Sequence, residues 1–276
     1  MADNQIPAEQ TEVTRETKKP RFNKNDKFDN KTKDHSKEPM SDSKRAIIST
    51  FTQYRDILDS HYDQRERIIK CSRDITALSK KMVFSLLRIT QDSAENVFRD
   101  VEIKHSVVLD LFAKVAVDLQ GSNALKYNRQ ATGGLQEYIE ALGLWVFLRD
   151  NTLITKDQVE DMVRSKGTMV TVTDEDYVLG ISDLPGEVNR YCINAIGKSD
   201  HEAVKRSLVF LRALKEGINL IMCSGKIRDL HKKLEVLDSS LEKTEKAYYS
   251  MSIRDTEMHR ANITDIDTSS GSVTVA

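Results

Sequence analysis

Ile68-Ile69-Lys70-Cys71-Ser72-Arg73-Asp74-Ile75-Thr76-Ala77-Leu78-Ser79-Lys80-Lys81-Met82-Val83-Phe84-Ser85-Leu86 lies inside a run from Ala46 to Gln120 that contains neither Gly nor Pro. Small or apolar residues recur there at Ile68, Ser72, Ile75, Ser79, Met82, Leu86 and Ile89, in steps of four and three. That is the period of one face of an α-helix. Upstream, Ile47, Phe51, Tyr54, Leu58 and His61 repeat the same steps. The spacing predicts one very long helix, or two nearly collinear ones, with no breaker to interrupt it.

Working outward, Asp92 or Ser93 is placed to cap a second helix with the seam Val97, Val101, Val108, Leu111, Val115 and Leu119. A third is predicted from about Leu125 to Arg149 after the break Gly121-Ser122-Asn123, with Gly133-Gly134 marking a bend or a close approach. Thr155 and Gln158 read as a capping box for a short helix ending near Gly167. Thr168 to Val172 reads as an extended connection. Thr173 caps the next helix, whose seam Tyr177, Ile181, Leu184, Val188, Tyr191 and Ala195 runs through Pro185 and so predicts one kinked helix. A sixth helix spans about His201 to Cys223. The last carries Ile227, Leu230, Leu234, Leu237, Leu241, Thr244, Tyr248 and Met251, a heptad suited to a bundle seam or a subunit contact. The fold class is therefore all-α: a single-domain bundle of about seven helices over residues 45–256. Residues 1–44 are polar, hold Pro7, Pro20 and Pro39, and read as a disordered tail; residues 257–276 read as a loose C-terminal tail.

The net charge is −1, with 31% charged residues, so any basic surface is local. Cys71, Cys192 and Cys223 form no CxxC pair, which argues against a zinc site or a disulfide framework and fits a reducing compartment. No apolar run reaches the ~18 residues of a bilayer span, so a soluble, intracellular chain without membrane contact is expected. The six histidines show no ligand spacing. There is no P-loop, dinucleotide-binding glycine fingerprint or HExxH.

Two acidic pairs stand out. Glu137 and Glu140 are spaced i, i+3, and Asp183 and Glu187 are spaced i, i+4, so each pair shares a helix face. The third helix is apolar almost all round: Leu135, Ile139, Leu142 and Val146 form one seam, and Leu144, Phe147 and Leu148 share the side of the acids. Acids on a buried helix are costly unless paired, protonated or holding a cation. Facing pairs make a hard-oxygen site suited to Mg²⁺ or Mn²⁺; the bland alternative is a solvated acidic flank. Basic residues Arg65, Arg67, Lys70, Arg73, Lys80, Lys81 and Arg88 punctuate the first helix. They are either contacts for a nucleic-acid backbone or the mixed-charge face of an amphipathic helix. A second basic cluster, Lys18 to Lys27, reads as a nuclear-import signal, a phosphate-seeking arm or a solvated linker.

Several stretches, in order, resemble the translin family on the branch of translin-associated factor X. They are Ser72-Arg73-Asp74-Ile75-Thr76, Gly134-Leu135-Gln136-Glu137-Tyr138-Ile139-Glu140-Ala141, Asp176-Tyr177-Val178-Leu179-Gly180, Asp183-Leu184 with Gly186-Glu187, Cys192-Ile193-Asn194 and Ser252-Ile253-Arg254. The resemblance runs from about Lys44 to Asp255. It implies an all-α fold and a Mg²⁺-dependent endoribonuclease, active only when assembled with translin. The implied substrates are single-stranded RNA, with single-stranded DNA as a further ligand, in passenger-strand removal during RNA interference and in tRNA-fragment processing. It assigns catalysis to Glu137, Glu140 and Asp183, adds Glu187 as a metal ligand, and implies residence in cytoplasm and nucleus. Two departures from the family pattern are Pro185 within the second acidic cluster and the short connection from Val163 to Val172. A non-catalytic subunit that binds nucleic acid and stabilises or shuttles translin remains the alternative.

Overall fold

The computed structural model describes residues 41–167, 170–222 and 227–269, with side chains through Arg254 and at Thr256. Most of the expected N-terminal tail, including Lys18 to Lys27, and Cys223 lie outside the described residues, as do residues 270–276. The helices are α1 (Asp42–Leu86), α2 (Ala94–Asp118), α3 (Asn123–Asp150), α4 (Lys156–Arg164), α5 (Asp174–Ile181), α6 (Leu184–Ile196), α7 (His201–Met222) and α8 (Leu230–Ser269). A 3₁₀ turn, Leu87–Thr90, follows α1. No strand occurs among the described residues. Two compact units divide the chain at Thr52/Gln53. The described part of the first is the opening turns of α1, where Ile47 and Phe51 are exposed.

Helix ends follow local chemistry. Ser93 caps α2 by accepting from the Asn96 amide. Thr155 and Gln158 form the capping box of α4, and Thr173 caps α5 by accepting from the Asp176 amide. One expectation is corrected here: the segment through Pro185 is two helices. The chain turns at Ser182-Asp183, and Pro185 stands in the first turn of α6, where a missing N–H costs nothing. At the C-terminus the backbone stays helical to Ser269, past residue 256.

In the larger unit, α3 is the central element. Tyr138, Ile139, Leu142 and Leu144 on it are fully buried, and it packs on α5 and α6. Helices α6, α7 and α8 pack on one another. Leu230, Leu237, Leu241, Thr244 and Met251 of the heptad are buried within this group, so that seam is spent inside the bundle and is not a free subunit contact. By contrast Tyr54 and Leu58 of α1 are 61% and 66% exposed; their period predicted a covered face that the larger unit does not supply. His61 and His105 are packing residues, each joined at 2.7 Å to a tyrosine hydroxyl, Tyr127 and Tyr138 respectively.

Candidate metal centre and nucleic-acid interface

Close backbone approaches set the site. A Cβ on Gly134 would lie 2.7 Å from the Ser72 carbonyl oxygen, so α1 and α3 touch main chain to side-chain-free main chain there. The Gly134 amide also donates to Ser72 Oγ at 3.1 Å. A Cβ on Gly180 would lie 2.8 Å from Ile139 Cβ and 2.9 Å from the Gln136 carbonyl oxygen, which seats α5 directly on the acid-bearing stretch of α3. Buried Asp176 ties the same two helices, accepting from Gln136 Nε2 at 3.0 Å and from Thr173 Oγ1 at 2.7 Å. Gly186, by contrast, faces open space.

These contacts bring the two acidic pairs together. Burial, then the charges of Asp183, Glu137 and Glu187, push the Glu140 carboxyl up to about 8, against an opposing pull from Lys80. Glu140 forms no ion pair with any described residue. Glu187 is also raised, by burial first, with Arg190 opposing and Glu137 adding to it. Its Oε2 is buried and accepts no hydrogen bond, although Arg190 Nη1 stands 3.2 Å away; the contact is electrostatic, off hydrogen-bond geometry. Glu140 feels the other three carboxylates and Glu187 feels Glu137, while Asp183 is exposed at the edge.

Three cations hold the rim of that cluster. Lys80 Nζ is 3.0 Å from Glu137, and Glu137, then Glu140 and Asp183, raise its pKa. Lys233 of α8 donates to Asp183 Oδ2 at 2.5 Å and to the Leu179 carbonyl at 3.2 Å. Arg190 is the third. With the carboxylates turned onto these cations, no three His, Cys, Asp or Glu side chains among the described residues converge on a point one ion would occupy. The donor chemistry nevertheless suits a hard divalent cation. All four candidate ligands are carboxylates, one of them raised to about 8 by burial and its acidic neighbours, and another has a buried oxygen without a hydrogen bond.

The seven basic residues proposed for nucleic acid are all exposed, but they do not form one surface. Arg67 is committed to Asp118 at 2.7 Å, Arg88 pairs with Asp92 at 3.5 Å, and Arg65 lies 3.7 Å from Glu66. Lys70, Arg73 and Lys81 make no ion pair with the described residues. Arg65 and Lys80 are fifteen residues apart on one helix, about 22 Å, so only the Lys80 end of the stripe adjoins the acids. Lys233 and Arg190 went unnoticed in the sequence reading. Lys233 is 50 residues from Asp183, and no local pattern announces it. Arg190, three residues from Glu187, has the spacing of a helical ion pair and was readable.

A model of the Translin family matches residues 63–255. The chain is 32% identical to Translin-associated protein X of Pongo abelii over 268 residues, 89% of this chain and 91% of that protein. It is 22% identical to Translin of Homo sapiens over 221 residues, 76% and 94% of the two chains. Its fold is similar to that of apo-NeC3PO, with TM-score 0.59 at 20% identity over 79% of this chain and 100% of that one. It is similar also to AfC3PO, solved in complex with duplex RNA, with TM-score 0.55 at 19% identity over 74% and 97%.

Proposed function

The chain belongs to the translin family, and from that premise we propose that it is the catalytic subunit of a Mg²⁺-dependent endoribonuclease assembled with translin, cleaving single-stranded RNA. The observation that carries this reading is the gathering of Glu137 and Glu140 from α3 with Asp183 and Glu187 from the start of α6, around one half-buried carboxyl raised to about 8. A carboxyl shifted so far by burial and neighbouring acids is what a cation site produces. The name of the 32%-identical relative, Translin-associated protein X, supports translin as partner. The duplex RNA in the AfC3PO complex supports RNA as ligand.

In this mechanism Glu137, Glu140 and Asp183 hold the cation and Glu187 assists. Mg²⁺ bound there supplies a water of lowered pKa and a counter-charge for the scissile phosphate. Lys80, freed from Glu137, sits at the rim where a non-bridging phosphate oxygen can accept from its ammonium group. Lys233 holds Asp183 in place across the α5–α6 turn. Glu140, raised to about 8 by burial and its acidic neighbours, would give up its proton to take the cation. No side chain here is an obvious nucleophile, so water attack is the natural course.

One observation favours the second reading, a non-catalytic scaffold: the acids are already paired to Lys80, Lys233 and Arg190, as in a structural ion network. Cleavage of single-stranded RNA by the full chain co-expressed with translin separates the two. The nuclease reading expects cleavage with Mg²⁺, none with chelator, and none from Glu137→Ala/Asp183→Ala, whose assembly and RNA binding are retained. Equal cleavage by wild type and variant would move the chemistry elsewhere and leave the scaffold.

A further inference from the structure

Phe84 is 69% exposed, although Met82, Val83, Ser85, Leu86 and Leu87 around it are buried. A lone exposed aromatic is ordinary. This one, however, lines a cavity of about 520 Å³ together with Leu87, Arg88, Gln91, Arg190 and Asn194. The cavity lies where the 3₁₀ turn after α1 meets α6. Each wall carries one guanidinium and one carboxamide: Arg88 and Gln91 on the turn side, Arg190 and Asn194 on α6. A carboxamide offers donors and an acceptor together, the complement of a base edge. A guanidinium is suited to phosphate, and an exposed aromatic ring gives an unpaired base a face to stack on.

Two links join this cavity to the acids. Arg190 is the residue beside Glu187, at 3.2 Å. Lys80, beside Glu137 at 3.0 Å, precedes Phe84 by one helical turn on the same face of α1, about 6 Å. A strand whose phosphate reaches Lys80 therefore has its neighbouring nucleotide at Phe84.

We propose that this cavity is a nucleobase subsite: Phe84 stacks one unpaired RNA base beside the acidic cluster, Gln91 and Asn194 bond its edge, and Arg88 and Arg190 take the flanking phosphates. The inference rests on the nuclease reading of the acids and deepens it. A base can enter only when it is out of a duplex, so the subsite selects single strands and fixes the register between bound base and cleaved bond. Phe84 binds substrate and does no chemistry.

The test uses the full chain co-expressed with translin and a single-stranded RNA carrying 2-aminopurine, alone or annealed to its complement. The expected result is quenching of the single strand by the wild-type complex. Phe84→Ala is expected to bind it roughly tenfold more weakly and to lose the quenching, with duplex binding and thermal unfolding unchanged; Phe84→Trp should restore both signals. Equal binding and quenching by Phe84→Ala overturns the subsite, while Mg²⁺-dependent cleavage that is lost in Glu137→Ala/Asp183→Ala leaves the nuclease reading standing. Quenching without any cleavage by the wild type upholds the subsite and sinks the nuclease reading. Absence of RNA binding by the wild type overturns both. Dissociation of the Phe84→Ala complex assigns the face to a subunit contact and overturns the subsite.

Discussion

Glu140 meets burial first and then three neighbouring acids, and its carboxyl rises to about 8 from the usual 4.5. For an acid raised in the fold, the stabilising contribution is whole below the unfolded pKa and is lost as pH climbs to the folded one. The cation-free protein should therefore lose stability between about pH 4.5 and pH 8, by about 5 kcal/mol at most. Glu140→Gln removes the titrating group and keeps its shape. We expect urea unfolding at pH 8 to show the variant more stable than wild type, with the two converging near pH 4.5, while cleavage by the variant is abolished. A carboxyl that weakens the fold yet is needed for activity marks a site; a variant less stable at pH 8 would mean that Glu140 is ionised and held by a partner. With Mg²⁺ added at pH 7, Glu140 should give up its proton, measurable as buffer-dependent heat in calorimetry and absent in Glu140→Gln.

Between elements, the adjacent glycines Gly133 and Gly134 make opposite predictions. A Cβ at Gly133 meets nothing within 4 Å, whereas one at Gly134 meets Ser72 main chain at 2.7 Å. Gly133→Ala should gain about 0.5–1 kcal/mol from helix propensity. Gly134→Ala should lose about 1–3 kcal/mol by forcing α1 off α3, read in the same urea titration; equal effects would mean the two helices are not in close contact. Gly180→Ala belongs with Gly134→Ala and should in addition lower cleavage, because α5 leads into the turn that carries Asp183. These contacts explain what was legible beforehand. Ser93, the Thr155–Gln158 box and Thr173 act within three or four residues, so their helix starts could be read from the chain. The acid pairs were equally local, and so was the apolar wrap of α3 that made them unusual. Pro185 was ambiguous, because an apolar seam continues through a kink or a break alike. The break falls where Ser182 closes α5 and Asp183 stands at the N-cap of α6, with Pro185 in its first turn. Lys233 was invisible, since only the folding of α8 across α6 delivers it to Asp183. Periodicity likewise marked Tyr54 and Leu58 as a face without saying what, if anything, covers it.

At the scale of the whole molecule, a net charge of −1 gives RNA no general attraction, so affinity depends on which cations are free. Of the seven on α1 and its 3₁₀ turn, Arg67 is held by Asp118, Lys80 by Glu137 and Arg88 by Asp92. A cation already paired releases fewer counterions when it meets a phosphate, because breaking the pair gives back an exposed acid. Lys70, Arg73 and Lys81 carry no such debt, and each should add its full share to the salt dependence. Replacing all three with Gln in the assembled complex is therefore expected to flatten the slope of log affinity against log salt for single-stranded RNA by about 2, at roughly 0.7 per phosphate contact. Arg67→Gln should change it far less, and all four changes should leave thermal unfolding nearly untouched at these exposed positions. An unchanged slope in the triple variant would take this face of α1 out of the RNA path. Binding would then fall to the Lys80 end, where Arg190 and Lys233 pair with Glu187 and Asp183.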